Sequence, residues 1–359
     1  MTTTEKPTRR LRVLLVRLSA IGDCLHAVPV AAALRRAHPD AFIGWAIQEP
    51  SATLLRGCPD VDRFHVYPRR TRGVAARLEA FSRLRRELRS CRYDAAIDVQ
   101  GLTKSGLVAW LSGARQRVGF RGGPALGSRE LNRLFVNRRF AIPPAVTHVV
   151  DRNLALVRAS GLAGEDSIAE WRLPDYARRR ALVFLERHGL GAGGYAVVSP
   201  GTIWRTKRWP EGHFAVAVRR LARDRGLPVV VVWADEGERR SAETIVANAG
   251  NGLPVLLAPP TDLRDLATLL RHAALFLGCD SGPAHLAAAL DVPCVSVFGP
   301  TDPSRNGPYG PKSASVQLDE RLECQPCWRR TCSRGDFACM ERLDPDPVVE
   351  ECLARLDAR

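Results

Sequence analysis

Asp23 is the first residue placed for chemistry, within the stretch RVLLVRLSAIGDCLHAVP that runs from Arg12 to Pro29. Val13 to Val16 is an apolar run of strand length, Ser19 to Asp23 interrupts it, and Cys24 to Arg36 resumes at helical spacing. Asp23 therefore stands where a strand hands over to a helix, the position at which open α/β sheets bind ligands. Gly22 lets backbone approach there, and a carboxylate beside backbone amides can stay ionised and act as a base. The same residue would also cap the following helix, and the pattern alone leaves both roles open.

Two later stretches carry complementary chemistry. SPGTIWRTKRWP, Ser199 to Pro210, follows a buried run and offers the Thr202 and Thr206 hydroxyls and the Lys207 ammonium. A lysine suits a phosphate oxygen as a point charge and can offset charge growing on a leaving diphosphate. LGCDSGPAHL, from Leu277 to Leu286, ends a strand at Asp280 and turns at Ser281–Gly282. Pro283 suits a first helical position, so the free N–H groups and dipole of the new helix make an anion site. His285 would bond a phosphate or pack on the sheet, and Asp280 would orient Lys207 or the donor's sugar. Asp235, Glu236 and Glu238 close another strand, where carboxylates can hold ribose hydroxyls or simply favour a helix start.

These stretches need elements to carry them. Strand runs at residues 13–16, 41–47, 61–67, 93–99 and 117–120 alternate with helical patterns up to His148–Ser160. That alternation predicts a parallel sheet wrapped by helices. A second series has strands at 195–199, 228–233, 255–257, 275–278 and 294–298, with helices between them. The expected organisation is an N-terminal domain over 10–173, a C-terminal domain over 174–345 and a terminal helix over 346–359 packing back on the first. Two Rossmann-like α/β domains facing each other across a cleft is the simplest arrangement.

Bulk properties narrow the class. The 359 residues are long for one core, and the formal charge of +15 favours an anionic partner, whether a phosphorylated substrate, nucleic acid or anionic lipid. Arg69, Arg70 and Arg72 form a basic cluster ahead of an arginine-rich helix over 75–89, read as an acceptor or membrane surface. No nucleic-acid-reading motif occurs, and no P-loop, GxGxxG, HExxH or GxSxG pattern. No signal peptide or membrane span is apparent, which places the expected protein in the cytoplasm. Ten cysteines should then be mostly reduced. Cys324, Cys327, Cys332 and Cys339 are spaced for a zinc knuckle, for reduced loop thiols or for a redox-sensitive pair.

Taken together, SAIGDCLHAVP, YDAAIDVQGLTKSGLVAWLSGA, SPGTIWRTKRWP, CDSGPAHLAAALDVPCVSVFGPTDP and the cysteine tail resemble the heptosyltransferases of glycosyltransferase family nine. The resemblance implies the GT-B fold and an inverting, metal-independent transfer without a cofactor. The implied donor is ADP-L-glycero-D-manno-heptose, and the acceptor a Kdo or heptose hydroxyl on lipid A-linked core at the inner face of the inner membrane. By motif, Asp23 matches the catalytic base and Lys207 the lysine at the donor diphosphate. Thr202, Asp280, Ser281, Gly282 and His285 match donor-binding positions, joined by Thr206 and by Glu238 as the ribose- or adenosine-binding acid. Ser19, Gly22, Gln100 and Lys104, with the three arginines, fall on the acceptor side. A nucleotide-sugar 2-epimerase, a different nucleotide-sugar transferase acting on an envelope glycan, and a non-enzymatic basic scaffold are the alternatives.

Overall fold

A computed structural model describes residues 10–68, 73–122 and 131–358. The chain divides into two units, meeting in sequence at Pro174 and Asp175.

In the first unit β1 (Arg12–Val16), α1 (Ile21–Leu25), α2 (Val28–Ala37), β2 (Phe42–Ile47), α3 (Ser51–Leu55), β3 (Arg63–Val66), α4 (Val74–Ser90), β4 (Ala95–Asp98), α5 (Thr103–Leu111), β5 (Gln116–Phe120), β6 (Arg138–Phe140) and α6 (Val149–Ala159) follow in order. The strands form one parallel sheet in the order β3-β2-β1-β4-β5-β6. Leu14 and Val16 of β1 and Ala96 of β4 are wholly buried against Leu84 and Leu88 of α4, as near-continuous apolar runs require in a sheet covered on both faces.

The helix expected over 24–36 is two helices. Pro29 stands in the first turn of α2, where its missing N–H costs nothing; inside a continuous helix its ring would press on the Leu25 carbonyl. That carbonyl instead accepts the Trp171 indole N–H at 3.1 Å.

The second unit repeats the plan with α7 (Arg179–Arg187), β7 (Ala196–Ser199), α8 (Glu211–Asp224), β8 (Val229–Val231), α9 (Glu236–Ala249), β9 (Val255–Leu257), α10 (Leu263–Arg271), β10 (Leu275–Cys279), α11 (Gly282–Ala289), β11 (Cys294–Val297), α12 (Pro303–Asn306), β12 (Ser313–Val316), α13 (Ala338–Glu341) and α14 (Pro345–Asp357). Its parallel sheet runs β12-β11-β10-β7-β8-β9. Numbered within each unit, both sheets have the order 3-2-1-4-5-6, that of a doubly wound dinucleotide-type domain.

α14 buries Val348, Val349 and Cys352 in the second core, packed on α8 and on β10 to β12. Its apolar side matches the surface left open between α8 and the sheet, and the Arg220–Asp346 and Arg225–Asp357 ion pairs fasten it there.

Candidate functional site

In a doubly wound sheet the strand order reverses between the first and fourth strands, and loops leaving their carboxyl ends splay apart to form a crevice. In the first unit those strands are β1 and β4, registered Val16 to Asp98. Ser19 lies in the loop after β1 with Gly22 and Asp23 in the first turn of α1, and Gln100 lies in the loop after β4 with Lys104 in the first turn of α5. The structure brings these together: Leu18 N–H donates to Gln100 Oε1 at 2.8 Å, and Lys104 Nζ donates to Ser19 Oγ at 3.2 Å.

Asp23 lies in the first turn of α1. One carboxylate oxygen accepts the Ala20 N–H at 3.0 Å, so the capping role is real. The other is ion-paired with Arg17, while the carboxylate side chain keeps 40% of its surface open. Arg17 is nearly buried, and its guanidinium also donates to the Val99 carbonyl at 2.9 Å. Asp23 is thus a capping carboxylate held by Arg17, with part of its surface open.

Beneath it Asp98 is buried and accepts from the N–H groups of Gln100 and Gly101, from Ser105 Oγ at 2.9 Å and from Asn132 Nδ2 at 2.6 Å. Burial pushes this carboxyl up despite those bonds. It is a brace for the β4–α5 turn. Arg69, Arg70 and Arg72 lie outside the described residues.

The second unit builds its site on the matching pair, β7 and β10, registered Ser199 to Gly278. Lys207, from the loop after β7, reaches Asp280, from the end of β10, with Nζ 2.6 Å from Oδ2. Thr301 Oγ1 donates to the same oxygen at 2.6 Å, and His285 Nε2 stands 3.7 Å from Oδ1. Burial by itself would raise the Asp280 carboxyl, but His285 and the Lys207 ammonium outweigh it and hold it down to about 2. The gap to His285 is longer than a hydrogen bond, so Lys207 and Thr301 supply the firmer hold. Lys207 also lies 4.6 Å from the centre of the Trp204 ring. Its ammonium is fixed between an anion and an aromatic face, with donors to spare.

Ser281 caps α11, and Gly282 and Pro283 open it, so its first turn begins beside the ion pair. The Ser281 hydroxyl, buried, makes no hydrogen bond among the described residues. Thr202 is buried in the β7 loop. Thr206 turns elsewhere: its hydroxyl donates to the Arg329 carbonyl at 2.8 Å and ties the cysteine-bearing segment to the lysine loop.

Glu238 sits in the first turn of α9 and accepts the Ala234 N–H at 2.9 Å. Its carboxyl lies over Gly201 so closely that a Cβ there would come within 2.2 Å of it. Burial raises this carboxyl. Pro200, Gly201, Arg208, Trp209, Glu238 and Ser241 are among the residues lining a cavity of about 210 Å³.

Each half thus presents a built group at its own switch point, a held carboxylate in one and a held ammonium beside a helix start in the other. Comparison with known proteins fits that arrangement. Residues 81–338 match the family model of glycosyltransferase family 9 (heptosyltransferase). Lipopolysaccharide heptosyltransferase 1 of Pseudomonas aeruginosa is 30% identical over 96% of this chain and 98% of its own length. The chain belongs to glycosyltransferase family 9. The Escherichia coli K12 heptosyltransferase 1 is 31% identical over 84% of this chain and 91% of its own. The solved E. coli heptosyltransferase WaaC with ADP superposes with a TM-score of 0.75 at 25% identity, covering 96% of this chain and 100% of that one. The two doubly wound domains are accordingly those of a GT-B glycosyltransferase, and the epimerase and scaffold alternatives are disfavoured.

Sequence reasoning passed over four residues around these two turns. Arg17 directly follows β1 but looks like one more arginine in a basic chain. Thr301 lies in the quoted FGPTDP segment, yet nothing in the sequence says that it meets Asp280. Trp204 and Arg330, whose guanidinium lies 5.1 Å from that ring, meet only in the fold. The cysteine tail crosses the same loops: Gln325 Nε2 donates to the Gly299 carbonyl at 2.7 Å and Trp328 N–H to that of Pro300 at 2.9 Å. All ten cysteines are free, and among the described residues no group of three or more His, Cys, Asp or Glu is arranged to hold a metal ion.

Proposed function

We propose that this chain moves heptose from ADP-heptose onto the Kdo or heptose inner core of lipopolysaccharide, inverting the anomeric centre without a metal ion or other cofactor. The observation carrying this reading is the Lys207–Asp280 ion pair beside the first turn of α11, a cationic, amide-rich setting suited to a diphosphate. Asp23 accepts the proton of the acceptor hydroxyl, and that oxygen attacks the anomeric carbon on the face opposite ADP. The bond from that carbon to the diphosphate oxygen breaks, its electron pair leaves with ADP, and Lys207 and the helix N–H groups offset the charge. Thr202, Ser281, Gly282 and His285 complete the diphosphate setting, and Glu238, over Gly201, receives the ribose hydroxyls. Ser19, Gln100 and Lys104, joined by Arg69, Arg70 and Arg72, meet the acidic acceptor.

Among the described residues no helix is long and apolar enough to cross a membrane. We place the protein in the cytoplasm as a peripheral protein of the inner membrane, where a lipid A-linked acceptor is met. The test is incubation with ADP-heptose and either Kdo-lipid A or a heptosylated core, with products read by mass spectrometry. A gain of one heptose on one of these acceptors is expected. No transfer to either overturns the reading.

A further inference from the structure

Helix α4 changes character along its length. Val74, Leu78, Phe81, Leu84 and Leu88 recur at helical spacing and form one apolar stripe. Its second half is used in the ordinary way, with Leu84 and Leu88 buried in the first core and Phe81 against Tyr67 at the margin. Its first half overhangs. Every residue from Gly73 to Glu79 is exposed, with Val74 at 76% and Leu78 at 66%, although they continue the stripe that packs further on.

The charges of the same helix are one-sided. Its two glutamates are engaged, Glu79 with Arg83 at 3.0 Å and Glu87 with His65 at 3.0 Å and Arg63 at 3.4 Å. Arg77, Arg85, Arg86 and Arg89 make no ion pair with a carboxylate among the described residues. At about 100° per residue, Arg77, Arg85 and Arg89 project within roughly 60° of Val74. Uncovered apolar side chains flanked by guanidiniums that pair with no described carboxylate suit a surface that is apolar within and anionic at its boundary.

We infer that the overhanging turns of α4 dock on an anionic lipid bilayer, Val74 and Leu78 entering the acyl boundary while Arg77, Arg85 and Arg89 meet lipid phosphates. The inference rests on the proposed function, which requires a lipid-anchored acceptor, and names the element that meets the membrane. Two helical turns whose residues are all exposed are marginal in water, and the bilayer supplies the missing apolar contact.

The test is sedimentation of the full chain with vesicles of phosphatidylcholine alone or mixed with phosphatidylglycerol, comparing wild type, Val74→Ser/Leu78→Ser and Arg85→Gln/Arg89→Gln. Wild type should bind the anionic vesicles about tenfold or more better than the neutral ones, with the advantage shrinking in high salt. Each double variant should lose about tenfold of that binding. Heptose transfer to a water-soluble, deacylated acceptor should be unchanged in both. Equal vesicle binding by wild type and Val74→Ser/Leu78→Ser overturns the inference, as does binding indifferent to lipid charge. Loss of soluble-acceptor transfer together with vesicle binding also overturns it, because the segment would then serve fold or catalysis. Vesicle binding by a wild-type chain that transfers no heptose would defeat the proposed function and leave the docking element standing.

Discussion

Lys207 and Asp280 are 73 positions apart in sequence (280 − 207), yet Nζ lies 2.6 Å from Oδ2 because β7 and β10 are adjacent at the sheet's switch point. This pair fixes the only lysine of the SPGTIWRTKRWP stretch where the second domain presents its first-turn amides.

Asp280 should make stability depend on acid in a defined window. Its carboxyl is held down to about 2, below the value of an unfolded chain near 4, so its contribution is present above the unfolded value and lost as pH falls toward 2. The contribution is on the order of 2 kcal/mol. Denaturant unfolding followed from pH 6 to pH 2 should show Asp280→Asn losing less stability than wild type over pH 4 to 2. At neutral pH that variant should be the weaker by about 3 kcal/mol, since Lys207 is left nearly buried without its anion. Parallel pH profiles for the two would rule this out.

Asp23→Asn keeps an oxygen for the Ala20 N–H but removes the base. Transfer should fall by about 10²–10⁴-fold, with ADP affinity by calorimetry unchanged. Turnover near that of wild type would remove Asp23 from the reaction.

In the proposed reaction Arg17 acts through Asp23, as a positioning residue. Arg17→Met should lower kcat by about tenfold or more while the KM for ADP-heptose holds, and Arg17→Lys should recover part of the loss. An unchanged kcat in Arg17→Met, or an equal rise in donor KM, would speak against positioning.

Gly201→Ala places a methyl where the Glu238 carboxyl now lies. The carboxyl is the movable end of its side chain, so the protein should fold while ADP binding weakens by about tenfold. Isothermal titration with ADP, set against AMP and free ribose 5-phosphate, decides whether Glu238 serves the nucleoside end.

Thr206→Val removes the hydroxyl that ties the lysine loop to Arg329. A loss of roughly 1 kcal/mol in stability is expected, because the Thr206–Arg329 hydrogen bond is no longer made. A rise in donor KM should accompany it. Retention of both stability and KM would show that the tail does not brace the loop.

Most of the architecture was legible because buried parallel strands are written as apolar runs and amphipathic helices as three-to-four spacing. The sixth strand of each sheet was not. β6 is Arg-Arg-Phe and β12 is Ser-Ala-Ser-Val, and neither is fully buried. Both are partly covered edge strands whose residues form no apolar run. The terminal helix was readable as a helix but not as to its partner, since an apolar stripe says that something is covered and not what covers it.

By itself the sequence determined two α/β halves, the turns at Asp23, Lys207 and Asp280–Gly282, and membership in a family of sugar transferases, because strand periodicity, glycine turns and contiguous motifs are local properties. Only the tertiary structure decided that Arg17 holds Asp23, that Thr301 joins Lys207 on one oxygen of Asp280, that Glu238 lies on Gly201, and that Thr206 faces the cysteine tail. Those pairings follow from which strands lie side by side at a switch point, and adjacency of strands is set by the packing of the whole sheet.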